Sequence, residues 1–243
     1  MIERLRALPA FSVVVLHACC HNPTGLDLSA DQWVQVAQVC RDRQLIAFLD
    51  FAYQGFGDGI DADALAVRAF LAAGQRFLVA NSFSKNFSLY GERCGALSVV
   101  CLDAEEARRV MSQLKAEVRR NHSNPPTHGA RLVAQVLESP VLRQQWEEEL
   151  ASMRLRIRAM RERVHVGLSA AFPGQDFSHY LAQRGMFSYT GLSRGQVAHL
   201  RQAHAIYLID SGRMCMAGLN ERNVDVVVEA LVDTLGRFEK AAA

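Results

Sequence analysis

Of the 27 lysines and arginines in this chain, only three are lysines, at positions 85, 115 and 240. Basic surface is therefore arginine work, and Lys85 stands out because it sits in the serine- and aromatic-rich stretch Asn81-Ser82-Phe83-Ser84-Lys85. A lysine amine forms a Schiff base with an aldehyde, which a guanidinium cannot do. Other reactive side chains occur at ordered intervals around it. Asn22 lies in His21-Asn22-Pro23-Thr24-Gly25, Asp50 precedes Tyr53 by three residues, and Arg93 follows Tyr90-Gly91-Glu92. A carboxylate, a phenol, an amide, a hydroxyl (Ser82), an amine and a guanidinium are thus available together.

The surrounding pattern says how they are positioned. The run Phe11 to Leu16 is nearly all apolar, as a strand covered on both faces would be. Ser29 with Gln32 three residues on forms a capping box, and Trp33, Val36, Ala37 and Cys40 recur at helical spacing. Leu45 to Leu49 is a second strand, a helix runs from about Asp63 to Ala73, Phe77 to Ala80 is a third strand and Ala96 to Cys101 a fourth. This rhythm predicts an α/β fold with a mostly parallel sheet and flanking helices. Ligands in such sheets bind beyond the carboxyl ends of the strands, where Asn22, Asp50, Tyr53, Ser82 and Lys85 all fall. Pyridoxal phosphate is an aldehyde cofactor that needs a lysine and an acidic partner for its ring nitrogen. Lys85 and Asp50 supply both, Tyr53 and Asn22 suit its ring oxygen, and Ser82 and Arg93 its phosphate.

From Ser139-Pro140 one long amphipathic helix is expected, with Leu142, Trp146, Leu150, Met153, Ile157, Met160 and Val164 on its apolar stripe and Pro173-Gly174 as its stop. Its late arginines, 154, 156, 158 and 161, suit the negative end of a helix dipole. A smaller mixed segment follows, with Met186 to Tyr189, a helix near Ser193 to Ala203, Ile206 to Ile209 and a closing helix from about Asn223. The expected domains are 1–140 and 141–243.

Composition removes other classes. A net charge of +2 argues against a nucleic-acid binder. No apolar run approaches the 18 or more residues of a membrane span, and the N-terminus lacks the apolar core of a secretory signal. Six cysteines without a C-x-x-C pair read as reduced cytoplasmic thiols. His17-x-x-x-His21 resembles a metal pair but precedes a proline after a strand, so no metal ligand is assigned. Gly55-x-Gly57-x-Gly59 lacks the strand-to-helix setting of a phosphate loop and reads as a turn.

Six blocks carry a resemblance: CCHNPTG at 19–25, LDFAYQGF at 49–56, NSFSKNFSLYGERCG at 81–95, NPPTHGA at 124–130, GMFSYTGL at 185–192 and SGRMCMAGLN at 211–220. Together they resemble the class I, fold-type I pyridoxal-phosphate aminotransferases, the aspartate and aromatic amino-acid group, with wording closer to the aromatic branch. The resemblance implies a partial fold-type I large domain joined by the long helix to a smaller C-terminal α+β domain, the chain matching the C-terminal portion of such enzymes. It implies Lys85 as the cofactor-bearing lysine and general base, Asp50 as the ring-nitrogen partner, Tyr53 and Asn22 as ring-oxygen contacts, and Ser82 and Arg93 as phosphate ligands. Arg213 would grip the substrate α-carboxylate, with Phe187 in the same pocket segment, and Arg119 would reach a second carboxylate across a homodimer. Implied substrates are aromatic and dicarboxylic amino acids with 2-oxoglutarate as acceptor. The rivals are a fragment that keeps the fold without activity and another reaction of the same cofactor, such as a lyase. By itself this 243-residue chain is expected to show little or no aminotransferase turnover. His122 and Asp210 depart from the family's usual tyrosine and small apolar residue. A cis Asn22–Pro23 peptide bond is expected.

Overall fold

The computed structural model describes residues 1–240. The chain forms two compact units: Met1–Cys19 with Leu28–Leu150, and Cys20–Asp27 with the chain from Ala151 onward. The division at 150/151 falls inside a helix, ten residues past the boundary read at 140. Residue 140 marks the start of that helix, and the short loop 20–27 leaves the first unit for the second.

In the first unit, β1 (Val13–His17), β2 (Ile46–Phe51), β3 (Phe77–Ser82) and β4 (Gly95–Val100) form one sheet in that order. The first three run parallel, with His17 opposite Asp50 and Asp50 opposite Ala80. β4 returns antiparallel, with Ser82 opposite Gly95, because residues 83–94 contain turns but no helix to carry a parallel crossover. Helix α1 (Ile2–Ala7) precedes the sheet. Helix α2 (Ala30–Asp42) opens on the expected Ser29–Gln32 capping box, both hydrogen bonds being present, and buries Trp33, Val36, Ala37 and Cys40. Helix α3 (Leu65–Ala72) buries Ala66 and Phe70 and stops at Gly74, whose φ of +65° is the left-handed conformation of a helix end. Phe70 joins the layers, 6.5 Å from the Trp33 ring and 5.5 Å from that of Phe77. Burial of such rings, about 1.5–3 kcal/mol each, is what holds helix to sheet.

Three local readings change. β1 is not covered on both faces: Val13 and Val15 are 60% and 63% exposed. Two helices are not read from the sequence: α4 (Ala104–Asn121), whose apolar positions Val110, Met111, Leu114 and Val118 recur at helical spacing yet are not buried, and α5 (His128–Glu138). The Gly55-x-Gly57-x-Gly59 turn binds an anion from within the chain. The buried Asp63 carboxylate accepts the N–H groups of Gly55, Gly57 and Asp58 at 2.7, 3.0 and 2.8 Å. Burial nonetheless raises the Asp63 pKa. A Cβ on Gly57 would lie 2.5 Å from Asp63 Oδ1, so glycine is required there.

Helix α6 (Pro140–Ala171) runs across the division between the units. The second unit adds α7 (His179–Ala182), β5 (Phe187–Tyr189), α8 (Arg194–His204), β6 (Arg213–Cys215) and α9 (Val224–Lys240). β5 and β6 pair antiparallel. The apolar segment 206–209 leaves Tyr207 75% exposed and forms no ladder. Ile157, Met160, Val164 and Leu168 of α6 are buried, as are Val197 and Leu200 of α8 and Ala230 and Leu231 of α9.

Arg161, read among the late arginines that suit the helix dipole, lies well before the helix end at Ala171 and is buried at 3% exposure. Its guanidinium donates to the carbonyls of Gly185 (2.8 Å) and Phe187 (2.7 Å) and to Ser188 Oγ, and desolvation pulls its pKa down to about 10. Nη1 and Nη2, held in one planar fork, supply the donors for this knot of acceptors. Arg161→Met keeps the stem volume but strands buried acceptors, each costing about 1–3 kcal/mol. A loss of about 3 kcal/mol in urea unfolding is expected, only partly recovered by Arg161→Lys; unchanged stability would remove Arg161 from this role.

Candidate active site

The first unit positions the lysine by anchoring both of its neighbours. After β3 ends at Ser82, the Ser84 N–H donates to Ser82 Oγ at 3.2 Å, and the Ser88 N–H closes a turn on the Lys85 carbonyl at 3.2 Å. Ser84 and Asn86 are buried. The Trp146 indole N–H, from the first turns of α6, donates to the Asn86 carbonyl at 2.7 Å, and its ring stacks on Phe87 at 4.5 Å. Phe87 meets Phe83 edge-on at 5.5 Å. Asn86 Nδ2 donates to the Gln54 carbonyl at 3.3 Å. Backbone entropy is thereby removed on both sides of Lys85, whose Nζ lies 4.8 Å from the Tyr53 ring centroid and 5.8 Å from that of Tyr90. Two electron-rich ring faces thus flank the Lys85 amine.

Asp50 stands at the carboxyl end of β2, half-exposed, with His17 Nε2 3.7 Å from its Oδ2. Tyr53 is buried just beyond it. Ser82 closes β3. Arg93 is exposed, has a φ of +53°, and donates from Nη1 to the Tyr90 carbonyl at 3.2 Å, so this loop folds its guanidinium back on itself. Lys85, Asp50, Tyr53, Ser82 and Arg93 all belong to the first unit. Arg119 does too, near the exposed end of α4, donating to Ser123 Oγ at 2.6 Å. It borders an open groove of about 510 Å³ with Leu97, Met111, Leu114 and Lys115, none of which belongs to the Lys85 cluster.

Asn22, Phe187 and Arg213 belong to the second unit. The Asn22–Pro23 bond is cis, as expected. The loop is closed by Asp27, whose carboxylate accepts the N–H groups of Cys20 (2.7 Å) and His21 (2.9 Å). It is docked by the Arg184 N–H on the Gly25 carbonyl at 2.6 Å. Gly25 combines a φ of +71° with a Cβ position only 2.6 Å from the Phe187 carbonyl, so no other residue fits. Arg213, on β6, donates from Nη1 to Asn22 Oδ1 at 2.7 Å and lies 4.4 Å over the Phe187 ring. The guanidinium is thus oriented by an amide and a ring. No charge opposes it in these contacts, so it remains available to an anion.

Four positioning residues escaped the sequence reading: Trp146, His17, Tyr90 and Arg161. Arg161 gave a usable signal, a charge within the apolar series 157, 160, 164 and 168. Trp146 gave only an aromatic on the helix stripe. The departing Asp210 is accommodated on the surface, 3.3 Å from Arg201.

An α/β unit with a mostly parallel sheet, and a second unit that shares the long helix α6 and takes the loop 20–27, together make a partial fold-type I architecture. Solved structures agree: an aromatic-amino-acid aminotransferase from Burkholderia pseudomallei, covalently bound to pyridoxal phosphate, superposes with a TM-score of 0.95 at 55% identity, over 97% of this chain and 59% of that one. The family model for aminotransferases of class I and II matches residues 1–231, and the chain belongs to that family. Among curated relatives, the aromatic-amino-acid aminotransferase of Escherichia coli K12 is 56% identical over 95% of this chain. The aspartate aminotransferase of Pseudomonas aeruginosa is 53% identical over 97%. The chain spans 58% and 59% of these two relatives' lengths.

Proposed function

We propose that this chain supplies the lysine, the ring-nitrogen partner and the carboxylate clamp of a pyridoxal-phosphate-dependent aminotransferase. Its reaction moves the amino group of aromatic and dicarboxylic amino acids to 2-oxoglutarate. The observation that carries the reading is the Lys85 amine, held over the Tyr53 ring by a segment anchored on both sides. The donor set suits the cofactor: an amine, a carboxylate, a phenol, a hydroxyl and a guanidinium occur in one unit, at or beyond the carboxyl ends of β2 and β3. When bound, the cofactor supplies an aldehyde to capture the amino group and a ring that spreads the electron pair left on the substrate Cα.

The chain's own groups do the rest. Lys85 Nζ carries the cofactor and, once displaced by substrate, takes the Cα proton and returns it at the receiving carbon. The Asp50 carboxylate holds a proton at the cofactor's ring nitrogen, and Tyr53 and Asn22 hydrogen-bond its ring oxygen. Ser82 and Arg93 bind its phosphate, Arg93 by exchanging the Tyr90 carbonyl for a charged acceptor. Arg213, held by Asn22 and Phe187, pairs with the substrate carboxylate through two parallel hydrogen bonds and fixes the Cα–H direction. Arg119, exposed, is assigned to a second carboxylate in a homodimer. Six cysteines with no disulfide between them fit work in a reducing cytoplasm.

The test uses the scarcity of lysine. After incubation with pyridoxal phosphate, borohydride reduction and peptide mass mapping place the cofactor's mass on Lys85, while Lys115 and Lys240 stay unmodified at stoichiometric cofactor. Amino-group transfer from tyrosine and aspartate to 2-oxoglutarate is followed in parallel. Equal labelling of the three lysines, or none, would overturn the assignment.

A further inference from the structure

The second unit contains a ligand-like cluster that the proposed reaction does not use. His199 lies in α8, His204 is its last residue, and Asp233 lies in α9. His199 Nε2 and His204 Nε2 each donate to the same oxygen, Asp233 Oδ2, at 3.2 and 2.9 Å. The imidazoles meet edge to face with centroids 5.6 Å apart, and one nitrogen from each ring and one carboxylate oxygen lie within 4.8 Å of one another. Phe238 closes one side, 6.1 Å from the His199 ring. The histidine side chains are only 16% and 26% exposed, whereas Asp233 is 57% exposed and opens the cluster to water.

We propose that His199, His204 and Asp233 form a binding site for a divalent transition-metal ion of the zinc type, clipping α8 to α9. Two imidazoles and a carboxylate are a borderline-soft donor set that suits zinc rather than calcium or magnesium. Tetrahedral bonds of about 2.0–2.1 Å place neighbouring ligand atoms about 3.3 Å apart. The two N···O separations already lie within a few tenths of an ångström of that value. To ligate, each Nε2 must offer its lone pair: a neutral imidazole shifts its proton to Nδ1 by exchange with solvent, and an imidazolium gives up one proton to solvent. Water takes the fourth position on the exposed side. The negative end of α8, at His204, favours added positive charge. Arg237, one turn beyond Asp233 on α9, is exposed and can swing outward.

Zinc chloride is titrated into chelator-stripped protein by calorimetry and thermal unfolding. A single strong site is expected, with a rise in Tm of about 5 °C at a hundredfold excess over Kd. His204→Ala and Asp233→Asn weaken it by more than the about 10–100-fold that loss of an outer-shell partner costs, while His122→Ala binds as the parent does. Long-range proton–nitrogen NMR of the unaltered chain needs no variant: zinc moves the Nε2 resonances of both histidines. Binding that survives both substitutions and leaves these resonances in place would assign the metal to the thiols. That result, or the absence of binding, overturns the proposal; in the latter case the cluster is a hydrogen-bonded clip alone.

Discussion

In a full-length parent enzyme, replacing Lys85 with alanine is expected to abolish amino-group transfer, with a loss beyond the about 10²–10⁴-fold that a proton-transfer group usually contributes. Two functions leave together, because the same amine carries the cofactor and moves the Cα proton. Cofactor still binds to the variant through Asp50, Tyr53, Ser82 and Arg93, so its fluorescence in a gel-filtered sample separates lost chemistry from lost binding. Lys85→Arg restores neither function, since a guanidinium does not condense with an aldehyde under these conditions. The fold should survive both changes: the anchors of the segment are Ser84, Asn86 and Phe87, and the Lys85 side chain contributes no hydrogen bond to them. Steady-state turnover of tyrosine with 2-oxoglutarate is the measurement. Near-parental rates in either variant would end the assignment of Lys85.

Arg213→Lys is the second large effect. A lysine there keeps the charge but loses the planar fork, its stacking on Phe187 and one of two parallel hydrogen bonds to a carboxylate. Hydrogen bonds to charged groups contribute about 1.5–3 kcal/mol each, so kcat/KM falls about 10–100-fold for the lysine variant and further for Arg213→Ala. The deficit must vanish when the substrate is the amide of the same amino acid, which has no carboxylate to lose. Equal loss on acid and amide would make Arg213 a structural residue whose partner is Asn22.

The four strands of the first unit are legible in the sequence, whereas two of its helices are not read from it. An apolar run stops at Asp50 and another at Asn81-Ser82, which is why the ends of β2 and β3 are legible from residue types alone. The capping box at Ser29 worked because it is a local hydrogen-bond pattern. What failed depends on the environment. α4 carries an apolar series at 110, 111, 114 and 118, but none of its side chains is buried, so the pattern alone does not say what the helix packs on. Arg161 is written like a surface charge, and only the convergence of carbonyls from 185 and 187 makes a guanidinium necessary inside. The Ile206 to Ile209 run has the apolar content of a strand, but the ladder partner of β5 is set by the Gly212 turn and lies later, at 213–215. The His199, His204 and Asp233 cluster joins positions up to 34 residues apart and has no spacing motif to betray it.

Trp146 gives this protein a built-in optical gauge. The chain has only two tryptophans, and the other, Trp33, is sealed in the first unit's core at 3% exposure. Trp146 instead touches the segment that bears Lys85, through its indole N–H on Asn86 and its ring on Phe87. Its emission colour and quenching therefore follow the loop rather than the core. With Trp33 changed to phenylalanine, one fluorophore would report, in real time and without any label, whether the lysine's loop tightens as ligands arrive.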